Sequence, residues 1–265
     1  IAATYQNIPL AHVQGGEVSG NIDEKVRHAI TKLADIHFPS TKRAKQWLIK
    51  MGENPEKVFH TGCPSIDLVK KVIKNPESKI NIYKKYGGVG SKPNLKNGFL
   101  IVMQHPVTTS YREGKKQVDE TLYALKNINN MQKIVLWPNI DAGTDDISKG
   151  IRMFREKYKT ESFHFFRNFS PEDYARVLKN AKCVIGNSSS FIREGSFLGT
   201  PAVIVGDRQI GRESGNNVVY SPYDREEIKK LSENVISSMI ARVWGYIKVN
   251  EAERKKALAP KINIM

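Results

Sequence analysis

Short apolar runs punctuate the carboxy-terminal two thirds of the chain, and each ends abruptly in polar or glycine residues. Phe99–Met103 gives way to Gln104-His105-Pro106, and Ile134–Trp137 to Pro138-Asn139. Cys183–Ile185 gives way to Gly186-Asn187-Ser188-Ser189-Ser190, and Ala202–Val205 to Gly206-Asp207-Arg208. Continuous apolar runs bounded by turn residues mark strands buried on both faces. Helical periodicity lies between them, over roughly 115–128, 146–158, 171–180 and 191–198. This alternation predicts an α/β fold with a Rossmann-like parallel sheet. In open sheets of that kind ligands bind beyond the carboxyl ends of the strands, which is where the polar clusters fall.

The amino-terminal third carries shorter signals. Pro9–Val13 reads as a short buried strand ending at Gly15-Gly16. Asp23 is placed to cap a helix whose apolar stripe is Val26, Ile30 and Leu33. A strand over 35–39 follows, then a helix capped by Ser40 or Thr41 through Ala44, Trp47, Leu48 and Met51. Val58–His60 reads as another strand, leading through Cys63-Pro64 to a helix over 65–73. Residues 75–97 open with Asn75-Pro76, lack a hydrophobic period and are glycine-rich, so they read as a linker or variable surface region. The chain is thus divided at 1–74, 75–97 and 98–240, with a helix over 224–238 and a basic tail over 241–265.

Composition narrows the function classes. The formal net charge is +15, but the basic residues are scattered in short groups such as Lys70-Lys71, Lys229-Lys230 and Arg254-Lys255-Lys256. Such a surface attracts small phosphorylated ligands as well as polyanions. No zinc-finger spacing or RNA-binding aromatic motif is present, so nucleic-acid binding is the weaker reading. Cys63 and Cys183 are the two cysteines; both read as buried free thiols, which fits a reducing, cytoplasmic compartment. No apolar run approaches the ~18 residues of a membrane span. The start, Ile1-Ala2-Ala3-Thr4, reads as the interior of a gene product.

Several groups carry candidate chemistry. The Gly186–Ser190 loop opens a helix, and backbone N–H groups with the Ser188 and Ser189 hydroxyls can hold phosphate oxygens. The alternative is a serine-rich turn capping an ordinary helix. Glu194 on that helix can accept hydrogen bonds from ribose or sugar hydroxyls. Arg208 can pair with a phosphate or form a salt bridge. His105 and Asn139 occupy strand ends and read as ligand contacts or structural residues. His12, Glu17, Asp23, Glu24, Arg27 and His28 form the densest ionisable group. Carboxylates in a cleft serve as acid or base when their surroundings separate their pKa values. The plain alternatives are Asp23 as a helix cap and Glu24 with His28 as an i,i+4 pair. No serine-hydrolase elbow, Walker loop or His-Glu-x-x-His zinc motif occurs.

Two strings bring in a resemblance. His12-Val-Gln-Gly-Gly-Glu-Val-Ser-Gly-Asn-Ile-Asp-Glu-Lys-Val-Arg-His-Ala-Ile-Thr-Lys-Leu33 and Gly186-Asn-Ser-Ser-Ser-Phe-Ile-Arg-Glu194 resemble the UDP-N-acetylglucosamine 2-epimerase family, in particular its hydrolysing branch. Gly199-Thr-Pro201, Gly206-Asp-Arg-Gln-Ile-Gly-Arg-Glu213 and Gln104-His-Pro-Val-Thr-Thr109 extend the likeness to about residues 8–220. It implies the glycosyltransferase B-type arrangement, two Rossmann-like domains facing across a cleft. Residues 1–74 are then the end of an incomplete first domain and 98–240 the nucleotide-binding domain. The family pattern has a long segment ahead of His12, and its usual carboxy-terminal return is not recognisable after about Ser238.

By the same resemblance, His105, Ser188, Ser189, Glu194 and Arg208 are expected to bind the nucleotide, and Asn139 the nucleotide or the sugar. His12, Glu17, Asp23, Glu24, Arg27 and His28 are expected on the sugar side, with Asp23 or Glu24 moving protons. The implied reaction needs no metal or cofactor: loss of the C2 proton and of UDP from C1, then return of water and a proton to give N-acetylmannosamine, a precursor for sialic acid biosynthesis. Two departures stand out. Gln14 replaces a frequent glutamate and cannot titrate. Phe191 replaces a frequent glycine and is expected to reshape the nucleotide side. They keep open a hydrolysing enzyme for UDP- or GDP-linked diacetamido sugars. A non-hydrolysing epimerase and a non-catalytic nucleotide-sugar-binding fragment also remain. Homo-oligomers are common among the relatives.

Overall fold

The computed structural model describes residues 1–19, 22–75, 80–110, 112–129, 131–158 and 160–247, with side chains described as far as Ser238; the basic tail expected over 241–265 lies outside the described side chains. The first third contains α1 (Ala2–Tyr5), β1 (Ala11–Val13), α2 (Ile22–Leu33), β2 (Ile36–Phe38), α3 (Lys42–Lys50) and α4 (Pro64–Lys74). Then come α5 (Ile82–Tyr86), β3 (Val89–Gly90), β4 (Phe99–Met103), α6 (Gly114–Lys126), β5 (Gln132–Leu136) and α7 (Thr144–Lys157). The rest is β6 (Phe163–Phe166), α8 (Pro171–Asn180), β7 (Cys183–Gly186), α9 (Ser189–Leu198), β8 (Ala202–Val205), β9 (Val218–Ser221) and α10 (Arg225–Ile247).

The larger sheet has the order β3-β6-β5-β4-β7-β8-β9, and only β3 pairs antiparallel. Setting that edge strand aside, the parallel strands run third-second-first-fourth-fifth-sixth. This is the doubly wound Rossmann order, and it reverses between β4 and β7. Alternate residues face opposite helical layers, as the period of two requires. Leu100, Val102, Val135, Ile185, Val203 and Val205 share one core with Val118 and Leu122 of α6, Ile147 and Ile151 of α7 and Ile228 of α10. Ile101, Ile134, Leu136, Val184, Ala202 and Ile204 share the other with Leu178 of α8 and Phe191 of α9.

Three of these strands, β3, β6 and β9, are not anticipated by the apolar runs, and β3 falls in the segment read as a linker. β6 interrupts its apolar pattern with His164, which is buried because its ring nitrogens meet the Ser91 and Gly87 carbonyls. β9 is half-buried at the edge of the sheet, so its pattern is mixed. The segment expected to be a linker also packs into this unit. Ile82 is in the core, Tyr83 stacks on Phe166, and Lys85 and Tyr86 each reach Asp173 at 2.5 Å. Helix α4 lies on α8 and α9, with Val69 and Val72 against Ala175, Phe197 and Leu198.

The first unit departs from expectation. β1 and β2 form a two-stranded parallel sheet, and β1 is exposed at Ala11 and Val13 rather than buried. Val58 contributes one bridge to His37, not a strand. Helix α2 begins at Ile22, so Asp23 sits inside its first turn and not at the cap. Its apolar stripe faces outward: Val26 is 53% exposed, and Ile22 and Ile30 are exposed with it. The inward face is polar, with Thr31 as the buried residue of the helix. Thr41 does cap α3, accepting from the Ala44 N–H at 3.0 Å.

Candidate functional site

The site is built where the sheet order reverses. Gly186 ends β7 at φ +134°, and a Cβ there would lie 2.1 Å from the Met103 carbonyl oxygen, so only glycine lets the ends of β4 and β7 come this close. The next residue, Asn187, is fully buried. Its side chain accepts from the His105 N–H at 2.7 Å and donates to the His105 carbonyl at 2.8 Å. This two-point clamp fixes the backbone just past β4. The Asn139 N–H donates to His105 Nδ1 at 3.1 Å, which leaves the ring proton on Nε2. Burial and the nearby Arg208 cation push the His105 pKa down to about 4, so the ring is neutral at physiological pH.

Arg208 follows β8 and is almost wholly buried, yet its contacts are long. Asn187 O and Asp141 Oδ2 lie 3.4 Å away, and Asp23 Oδ2 lies 3.8 Å away. Behind it Gln209 donates to Asn187 O at 2.9 Å. Gly206, at φ +79°, leaves room for the Tyr223 ring, which a Cβ would meet at 2.2 Å. Burial raises the Tyr223 hydroxyl to about 12. Asn139 itself is exposed, its amide donating to Asp141 at 2.6 Å.

Ser188 caps α9, its hydroxyl meeting Ser190 N at 3.4 Å and Ser190 Oγ at 2.9 Å. Tyr174 holds Ser190 Oγ at 2.6 Å. The free N–H groups of a helix start, its positive end and a buried arginine together favour an anion. Among the described residues, Gln104 Nε2, Glu194 Oε2, Arg208 Nε and Gln209 Oε1 are buried without a hydrogen-bond partner. Such groups are costly unless a ligand or water meets them.

The ionisable group of the first unit lines the inward face of α2 and the loop before it. Arg27 donates to Glu17 O at 2.8 Å and to Ser19 Oγ at 3.3 Å. Glu24 accepts from the Ser19 N–H at 2.6 Å and lies 3.8 Å from His28. Thr31 Oγ donates to Arg27 O at 3.1 Å, so its lone pair accepts from His12 Nδ1 at 3.2 Å. His12 therefore keeps Nε2 as a basic nitrogen. Its pKa is lowered by burial first, then by His37, Arg27 and His28. Gln14 adopts φ +65°, a left-handed backbone that a non-glycine residue takes at a cost of about 1 kcal/mol. Its amide donates to Cys63 Sγ at 3.3 Å and accepts from Arg193 at 3.2 Å.

The two units meet through named pairs: Asp23 with Arg208, Glu17 with Arg212 at 2.7 Å, and Thr41 donating to Glu213 at 2.5 Å. Of the residues singled out from sequence, Asp23, Asn139, His105, Ser188 and Arg208 gather around the switch point, directly or through one shared partner. His12, Glu24, Arg27 and His28 form the neighbouring hydrogen-bonded cluster. Phe191 does not line this site; it is fully buried in the core beneath α9. Cys63 is half-buried rather than buried. Sequence reading missed Asn187, Gln209, Tyr223, Arg193 and Arg212 as participants. Asn187, Arg193, Gln209 and Arg212 stood inside the quoted strings, but the partners that give them a role are distant in sequence; Tyr223 lay outside those strings. Among the described residues no helix is long and apolar enough to cross a membrane.

A sequence profile described as UDP-N-acetylglucosamine 2-epimerase matches residues 1–254. Polysialic acid biosynthesis protein P7 of Escherichia coli is 35% identical over 230 residues, 86% of this chain and 56% of that protein. The UDP-N,N'-diacetylbacillosamine 2-epimerase (hydrolyzing) of Legionella pneumophila is 34% identical over 219 residues, 83% of this chain and 55% of that protein. The chain therefore spans a little over half the length of these relatives. The fold is similar to that of Methanocaldococcus jannaschii UDP-GlcNAc 2-epimerase in complex with UDP-GlcNAc and UDP, with a TM-score of 0.70 at 16% identity, over 92% of this chain and 71% of that one.

Proposed function

The chain belongs to the UDP-N-acetylglucosamine 2-epimerase family, and from that premise we propose that it forms the nucleotide-binding part and one catalytic face of a hydrolysing nucleotide-sugar 2-epimerase. One observation carries the reading. Asp23 of the first unit faces the buried Arg208 of the second across the cleft at 3.8 Å. That juxtaposition sets a carboxylate beside an anion site, where the sugar carbons would lie next to the diphosphate.

In this reading the α9 N-terminus, Ser188, Ser189 and Arg208 address the diphosphate, and Glu194 a ribose hydroxyl. The neutral His105 offers its Nε2–H as a donor, and Asn139 rims the same end of the sheet. On the sugar side we assign the two carboxylates different roles. Glu24 is occupied with the Ser19 N–H, so it holds the loop. Asp23 is the one that meets the cleft, and it is the proposed proton-transfer group. His12, unprotonated with Nε2 basic, is its proposed partner; Arg27 and His28 position the loop and Glu24.

The chemistry balances without a cofactor. A base takes the C2 proton as the C1–O bond breaks and its electron pair leaves with UDP, giving the unsaturated sugar. Water adds its oxygen at C1, and a proton returns to the opposite face of C2. A second reading, that the sugar carries two acetamido groups, is favoured by the 34% identity to the Legionella UDP-N,N'-diacetylbacillosamine 2-epimerase (hydrolyzing).

The test is a proton-NMR time course of UDP-N-acetylglucosamine with this chain and with a version extended at its amino terminus. Free N-acetylmannosamine with UDP is the expected result. UDP-N-acetylmannosamine would move the assignment to a non-hydrolysing epimerase. No change in either sample would overturn the proposed substrate and turn the same assay to diacetamido nucleotide sugars. Turnover only in the extended version would make this chain a nucleotide-sugar-binding part that needs the upstream segment.

A further inference from the structure

Among the described residues, the partners of Arg208 lie at 3.4 to 3.8 Å. Its aim is set by the loop that carries it. Residues 207–213 form two successive turns, closed by Ile210 N donating to Asp207 O at 2.9 Å and Arg212 N to Gln209 O at 3.2 Å. On the inner side Gln209 ties the loop to Asn187 at 2.9 Å. On the outer side the tethers belong to the first unit: Glu17 pairs with Arg212 at 2.7 Å, and Thr41 donates to Glu213 at 2.5 Å.

The Glu17–Arg212 pair is nearly closed to solvent, with side chains 11% and 9% exposed. Removing one partner of such a pair leaves a buried charge uncompensated. The surroundings make this acute for Arg212. Burial disfavours its charge, as do Arg193, Arg27 and Arg208, and Glu17 opposes them. Glu17 is thus committed to an ion pair with Arg212, whereas the family resemblance implied only a place on the sugar side.

We infer that Glu17 is a positioning residue: by pairing with Arg212 it holds the 207–213 loop so that Arg208 points into the anion site, and the first unit thereby sets how tightly the second grips a nucleoside diphosphate. This rests on the reading of the switch-point site as a nucleoside-diphosphate site. It separates two parts of one ligand. Arg208 addresses the diphosphate, so a slackened loop weakens UDP while leaving uridine nearly untouched.

The experiment titrates UDP by calorimetry, and uridine by ligand-observed NMR, into the 265-residue chain, into Glu17→Gln and into the charge-swapped pair Glu17→Arg with Arg212→Glu. Losing the aim of one charged hydrogen-bonding group is expected to weaken UDP about 10-fold in Glu17→Gln, with uridine within about 2-fold and most of the loss recovered in the swapped pair. Three results overturn the inference: unchanged UDP affinity in Glu17→Gln, equal loss of UDP and uridine, or no recovery by the swap. Failure of the unaltered chain to bind UDP would instead overturn the reading of the site, and the inference with it. Should Glu17→Gln not fold, Thr41→Val, which cuts the neighbouring tether, is titrated in its place. A loss of UDP affinity of about 3-fold is expected there, and no loss overturns the inference.

Discussion

The two units bury their residues by opposite rules. In the seven-stranded unit β4, β7 and β8 are buried and apolar along their length, and the candidate binding groups stand in the loops that follow them. In the two-stranded unit α2 turns its charged face inward and leaves Ile22, Val26 and Ile30 in solvent. The first arrangement makes a scaffold whose site geometry is inherited from the sheet. The second makes a set of charges held by hydrogen bonds to one another, steadied from outside by the pairs with Arg208, Arg212 and Glu213. Chemistry that needs fixed donors belongs to the first, and chemistry that needs groups of adjustable protonation suits the second.

The contrast can be broken most directly in the core. Leu100→Ala, at a fully buried position of β4, is expected to cost about 3–5 kcal/mol in urea unfolding; a loss below about 1 kcal/mol would mean the sheet does not dominate stability. The next effect lies at the site. His105 has a folded pKa of about 4, against about 6.5 when unfolded, because its neutral form is the buried one. Above pH 6.5 both states are neutral and the full native stability is present. As pH falls from 6.5 toward 4 the unfolded state takes up the proton first, so stability declines, by about 3 kcal/mol in all from this group. Comparing unfolding midpoints at about pH 7.5 and about pH 5 in the unaltered chain and in His105→Gln isolates the effect, since the substituted chain should lose the steeper part of the decline. Smallest is Val26→Thr on the outward face of α2. Within about 0.5 kcal/mol of unchanged stability is expected, as for other exposed positions, and a large loss would show that the stripe is covered in solution.

The sequence revealed the two units unequally, for the same reason. Runs such as Phe99–Met103 and Ala202–Val205 announce themselves because both faces are buried, and their helices followed within a few residues. β6 hid behind His164, whose burial depends on carbonyls more than seventy residues away. In the first unit a stripe of Val26, Ile30 and Leu33 predicts a buried face, but periodicity cannot say what the face is turned toward. At the site, the apolar runs mark the strands β4, β7 and β8, beyond whose ends His105, Ser188 and Arg208 stand. The residues that hold them there were illegible: Tyr223 reaches the loop only because Gly206 makes room, and Arg212 meets Glu17 across 195 positions of sequence.

The amide of Asn187 grips residue 105 by its main chain on both sides. The grip is indifferent to which side chain stands at 105, just beyond the carboxyl end of β4. A substitution at 105 therefore leaves both main-chain bonds in place and forfeits only the bond from the Asn139 N–H to His105 Nδ1. Position 187 has no such freedom, because any replacement forfeits at least one of the two bonds.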